Sequence, residues 1–175
     1  MKKLITRMLS LAAFTVVGGL SAKAQSTASA TLNVVLNNAA SIVINGANNV
    51  ATLTYSTPAN YANGVTLTQS AALTTISNQP YSVTVVADGA LTNGANTIPV
   101  NDVTVTPTAN GTPTGVTCTA QPIPTTTAAT IIASTTGTVT QNYDLKYSTP
   151  AGSTSFIGKP AGTYTSHLTY TITNP

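Results

Sequence analysis

From Thr163 to Thr173 the chain alternates without a break. Tyr164, Ser166, Leu168, Tyr170 and Ile172 share one side, and Thr163, Thr165, His167, Thr169, Thr171 and Thr173 share the other. A period of two sustained over this length places successive side chains on opposite faces of an extended strand and is incompatible with a helical stripe. The same pattern recurs at Val139, Tyr143, Leu145 and Tyr147, at Tyr81, Val83 and Val85, and at Val103 and Val105. It returns at Val65 and Leu67, at Leu53 and Tyr55, and at Leu32, Val34 and Leu36. Asn45-Gly46, Asn63-Gly64, Asp88-Gly89, Asn93-Gly94, Asn110-Gly111 and Gly152 punctuate these runs as turn signals. Many short strands with one apolar face predict an all-β fold: an antiparallel β-sandwich, immunoglobulin-like or jelly-roll-like, in a single domain over 25–175. Pro107–Thr136, with Pro113, Pro122 and Pro124, reads as irregular loop or edge strand, with Ile131 and Ile132 returning to the core.

Composition agrees with that period. Downstream of position 24 the chain has 34 threonines, no Glu, no Arg and no Met, so β-branched residues abound where strong helix formers are scarce. Residues 1–24 have the anatomy of a secretory signal: basic Lys2, Lys3 and Arg7, an apolar run from Met8 to Leu20, and Ala22-Lys23-Ala24 as the small-x-small cleavage pattern. Cleavage there removes four of the six basic residues and leaves Lys146 and Lys159 against Asp88, Asp102 and Asp144, a net charge of −1. The basic balance of the full chain is therefore a property of the leader, and nucleic acid is excluded as a partner. No later stretch is long and apolar enough to span a bilayer as a helix. The expected location is secreted and extracellular at the cell surface, with the periplasm as a transit compartment.

Chemistry is sparse. Three carboxylates, one histidine (His167) and one cysteine (Cys118) supply no nucleophile–base–acid set, so the expectation is a non-enzymatic protein without cofactor or metal. His167 reads as an exposed strand residue and Cys118 as a small buried hydrophobe, since one cysteine forms no internal disulfide. Asp88, Asn93, Asn96, Asn101 and Asp102 could offer oxygen ligands to calcium, but their spacing matches no calcium loop and Asx residues are ordinary turn formers. Tyr55-Ser-Thr-Pro-Ala59 is echoed at Tyr147-Ser-Thr-Pro-Ala151, which reads as repeated strand-to-turn chemistry.

Two short motifs carry a resemblance. Ala161-Gly162-Thr163-Tyr164-Thr165-Ser166-His167-Leu168-Thr169-Tyr170-Thr171-Ile172 resembles the closing strand of WxL-type cell-surface domains, where a Gly-Thr-Tyr turn leads into Leu-Thr-Trp-x-Leu. Pro80-Tyr81-Ser82-Val83-Thr84-Val85, followed by Leu91-Thr92-Asn93-Gly94, is similar to the first Trp-x-Leu strand and its turn. Here Tyr81 and Tyr170 replace both tryptophans, and Val83 and Ile172 stand at the leucine positions. The resemblance implies an extracellular domain held non-covalently at the cell envelope. It points to Tyr81, Val83, Gly162, Tyr164, Leu168, Tyr170 and Ile172 as binding positions, with an envelope polymer or a surface protein as partner. The chain also resembles pilin subunits of the chaperone–usher type and spore-coat-U-like secreted proteins: Gly162 opens an alternating strand near the C-terminus. In that resemblance Ala28, Ala30, Leu32, Val34 and Leu36 would be a donor strand for another copy of the chain.

Overall fold

The structure is a computed structural model that describes residues 26–175; the leader expected at 1–24 lies outside the described residues. Residues 26–35 carry no strand or helix and are exposed throughout. A compact unit spans Leu36–Pro175. It contains β1 (Ala40–Ile44), a single short helix α1 (Pro58–Asn63), β2 (Thr66–Ser77), β3 (Tyr81–Ala87), β4 (Leu91–Asn93), β5 (Asn96–Ile98), β6 (Thr104–Ala109), β7 (Val116–Cys118), β8 (Gln121–Pro122), β9 (Ala129–Ser134), β10 (Thr138–Ser148) and β11 (Leu168–Thr173). One sheet has the order β1-β2-β10-β6-β8, and the second has β11-β3-β9-β7, with β4 and β5 forming a separate hairpin. Every pairing is antiparallel. The fold is the expected all-β sandwich.

The core lies between the sheets. Leu73, Tyr143, Leu145, Tyr147 and Val105 from one meet Tyr81, Val83, Val85, Ile131 and Ile132 from the other. The tyrosine hydroxyls would be costly there without partners, and they find them in each other. Tyr81 and Tyr143 share a hydrogen bond of 2.7 Å between the layers, and Thr75 donates to the Tyr81 hydroxyl at 3.1 Å. Tyr147 and Tyr170 make a second cross-layer bond of 2.8 Å. Burial pushes the Tyr143 and Tyr170 hydroxyls well above the usual tyrosine range and raises that of Tyr147.

Three β-bulges decide which residues join this core. Between Thr138 and Gln141, β10 holds one residue more than β2, which reverses the side-chain parity. Val139 was expected on the face of Tyr143, and the bulge turns it outward to 88 % exposure. An extra residue in β9 lets the adjacent Ile131 and Ile132 both be buried. In β2 the insertion amounts to two residues, since Tyr143 pairs with Leu73 but Leu145 with Gln69, so the inward face is preserved. Ala71 occupies that bulge at φ +45°, the left-handed region disfavoured for a residue with a Cβ. Asp144 anchors it by accepting from the Ala71 N–H at 2.7 Å, and Asn45 donates to the Ala71 carbonyl.

Several sequence expectations change. Leu32, Val34 and Leu36 form no strand here, because no neighbouring strand pairs with them. Leu53 and Tyr55 are half-buried without strand pairing; the Gln69 side chain, donating to the Val50 carbonyl at 2.8 Å, holds the start of that segment. Continuous strand pairing in the last segment starts at Leu168, after an isolated antiparallel bridge from Thr165 to Thr92, although the exposed-covered alternation extends back to Thr163. Pro107–Thr136 keeps the expected mixture of loop and edge strand, with β7 and β8 at sheet edges and Ile131 and Ile132 buried, and adds β9 as a central strand. Pro113, Pro122 and Pro124 sit in loops or on the edge strand β8, where ladder bonds are fewest, whereas Pro107 lies within β6 opposite Leu145.

Candidate functional site

The two motif segments meet. β11 runs antiparallel to β3, with Ile172 opposite Val83, Tyr170 opposite Val85 and Leu168 opposite Ala87. Tyr81 and Val83 are buried, and Leu168, Tyr170 and Ile172 pack half-buried against the same core. Their side chains point into the sandwich, so what β11 offers to a partner is its backbone edge, its outward threonines and the partly covered rim of its apolar face. β1 lies against β11, and its Ile42 and Ile44 continue that half-covered rim. Gly162 and Tyr164 sit apart from this pair, in the connection from β10 to β11. Gly162 has φ +153° and abuts the Asn93 side-chain amide, which a Cβ there would have to displace. Tyr164 donates to the Pro160 carbonyl at 2.9 Å within the same connection, outside the core where its alternation placed it.

Just before β11 the structure brings the one histidine beside a carboxylate. Asp88 accepts from Ser166 Oγ and the His167 backbone N–H, each at 3.0 Å, and lies 2.9 Å from His167 Nδ1. The backbone donor from His167 is the largest influence holding the Asp88 carboxyl below its usual range, followed by the imidazole and the Ser166 hydroxyl. The trio resembles a hydrolytic triad in composition only. Ser166 donates to Asp88 and to the Gly89 carbonyl, so its hydroxyl is not aimed at an imidazole that could take its proton. Asp88 instead clasps the strand-end turn to β11. Asp102 accepts from Ser153 at 3.3 Å, and Asp144 serves the β2 bulge. Each carboxylate thus holds a loop or a bulge. Among the described residues no three His, Cys, Asp or Glu side chains lie together as a group that could hold a metal ion. Cys118 is half-buried on β7, and burial pushes its thiol up, away from reactivity.

A shallow cleft of about 550 Å³ is lined by Gly89, Thr97, Pro99, Asn101, Pro122 and Thr125 and bears no titratable side chain. It provides shape and hydroxyls but no acid–base group.

One feature escaped the sequence reading. Tyr55, Tyr61 and Phe156 gather at one end of the sandwich. The Tyr55 ring lies 4.9 Å from Phe156 in a stacked arrangement and 4.9 Å from Tyr61 in a tilted one. Three separate segments supply the rings, so no periodicity links them. Tyr61 rides on α1, whose start is fixed by Pro58 and by the reciprocal Thr57–Asn60 capping bonds. Phe156 sits in a short 3₁₀ turn whose Ser153 caps the Ser155 N–H. Tyr55 donates to Thr149 Oγ1 at 2.6 Å, and the same oxygen accepts from the Val65 N–H at 2.9 Å. That bond joins the two Tyr-Ser-Thr-Pro-Ala echoes, Tyr55 of the first to Thr149 of the second. Burial raises the Tyr55 hydroxyl above its usual range despite this partner.

No family model matches the chain, and no curated protein matches it in sequence.

Proposed function

We propose that this chain is a secreted, non-enzymatic structural and binding protein of the cell envelope, similar in kind to WxL domains. The observation that carries the reading is the pairing of β3 and β11. The two motifs behind the resemblance, far apart in sequence, lie side by side as neighbouring strands of one sheet. Its surface chemistry fits the same role: hydroxyl and amide groups with five charged side chains beyond the leader favour contacts that depend little on salt. Expression of the full chain with a C-terminal tag, followed by fractionation and pull-down on isolated cell envelopes, tests this. Retention on envelopes at both low and high salt is expected. A mature chain that stays in the soluble fraction and ignores envelopes would sink the proposal.

A second reading is favoured by a separate observation. Leu32, Val34 and Leu36 are 87 %, 73 % and 85 % exposed on a segment with strand alternation and no strand partner, while β11 is an edge strand. Exposed alternating hydrophobes and an open edge are the two halves of β-strand addition. In this reading the chain is a pilin-like subunit that polymerises by donating 26–36 to a neighbour. Light scattering of the mature protein distinguishes it: polymers should form with the segment and not without it.

A further inference from the structure

We infer that the Tyr55–Tyr61–Phe156 cluster is a binding platform for a neutral sugar chain. The inference rests on the envelope-binding reading above and gives it a ligand class and a place.

Beyond the leader the chain has eight aromatic side chains and no tryptophan. Four of them, Tyr81, Tyr143, Tyr147 and Tyr170, build or border the core. Three of the other four are gathered at one end, where Tyr61 remains 38 % exposed and the neighbouring Ile157 56 %. Other exposed hydrophobes of the sandwich, such as Val50 and Val139, are single aliphatic side chains, whereas here aromatic rings from three segments adjoin an exposed isoleucine, and it is contiguous apolar surface that marks an interaction site.

The extent of the patch selects among partners. An aromatic side chain has at most about 250 Å² to bury, and these rings are more than half covered, so the platform presents a few hundred Å² at most. A standard protein interface needs about 800 Å² from each partner. One or two sugar rings need no more than this patch provides. Their apolar C–H faces suit ring surfaces. Charge points the same way. The Asp102 carboxylate lies close enough to act on the Tyr55 hydroxyl, so an anionic chain meets like charge beside the rings.

The platform is also preorganised. Tyr55 is pinned through its hydroxyl, Tyr61 by the cap of α1, and Phe156 by the Ser153 turn. Little ordering remains to be done on binding, which favours measurable affinity from a small contact.

The test titrates the mature protein with chitotetraose and cellotetraose, with polygalacturonate as the anionic contrast, and follows ring proton shifts by NMR. Shifts confined to Tyr61, Phe156 and Tyr55 with the neutral oligosaccharides are expected. Tyr61→Ala should weaken binding about tenfold, equivalent to ~1.4 kcal/mol, and Ile157→Ser should weaken it to a lesser degree. Tyr61→Phe should retain it, and unchanged melting temperatures show that each variant folds. Absence of shifts with either neutral chain, equal binding of polygalacturonate, or binding that survives Tyr61→Ala would each overturn the platform. So would ring shifts that depend on protein concentration without sugar, which would assign the patch to a second copy. Envelope pull-down separates the two levels. If wild type and Tyr61→Ala bind envelopes equally, the envelope reading stands and the platform falls. If oligosaccharide binds the rings but envelopes do not retain the protein, the platform stands and the envelope reading falls.

Discussion

Replacing Tyr143 tests how the sandwich is held together, because the ring and the hydroxyl do separable work. Its side chain is fully buried in the middle of the central strand β10, and its hydroxyl bonds Tyr81 across the layers at 2.7 Å. Tyr143→Ala removes the ring and leaves a cavity between sheets, which costs about 3–5 kcal/mol for a buried aromatic. Tyr143→Phe keeps the ring but leaves the Tyr81 hydroxyl with Thr75 alone, so a buried hydroxyl loses one hydrogen-bond partner at about 1–3 kcal/mol. With a urea m-value near 2 kcal/mol/M, the midpoint should fall by about 1.5–2.5 M for alanine and about 0.5–1.5 M for phenylalanine. Urea unfolding followed by circular dichroism reads both, with Tyr164→Ala as the contrast. That ring lies in a connection outside the core, and its loss should stay within about 0.5 kcal/mol. Equal midpoints for Tyr143→Ala and wild type, or a larger loss at Tyr164 than at Tyr143, would refute this assignment of the inward face.

Asp144→Ala should destabilise by about 1–3 kcal/mol, because the Ala71 N–H at the bulge loses its acceptor; Ala71→Gly should relieve the positive φ and raise the thermal midpoint. Gly64→Ala should unfold the protein at a lower temperature, since a Cβ at φ +74° meets the Thr149 and Pro150 carbonyls. The Asp88 carboxyl titrates below its unfolded value, so its clasp on β11 is fully present above the usual carboxylate range and is lost as pH falls through the lower folded value. Asp88→Asn should therefore flatten the acid limb of a stability–pH curve below about pH 4, and an unchanged limb would assign acid sensitivity elsewhere. Deleting 25–36 should leave the melting temperature of the sandwich unchanged, because no strand pairs with Leu32, Val34 or Leu36; loss of folding would make that segment an ordinary first strand.

The alternation of Tyr81, Val83 and Val85, or of Leu168, Tyr170 and Ile172, is a local property, and it specifies both the strand and the face it covers. Composition and period together therefore determine an all-β sandwich with tyrosines at its centre. Which strands pair is not local. The chain changes sheet between β2 and β3, β6 and β7, β7 and β8, β8 and β9, β9 and β10, and β10 and β11. Only β1–β2 and β4–β5 are sequence neighbours that pair, so hairpin reasoning fails for most of the ladder. Tertiary pairing also sets the bulges. Val139 faces out and Ile131 and Ile132 both face in because β10 and β9 each hold one residue that their partner lacks, which no single strand's sequence encodes. The aromatic platform has the same origin: Tyr55, Tyr61 and Phe156 have no common period and become one surface only when the loop after β10 folds back beside α1. A strand's faces are set by its own side chains, whereas its neighbours are set by which distant segments bury the same core.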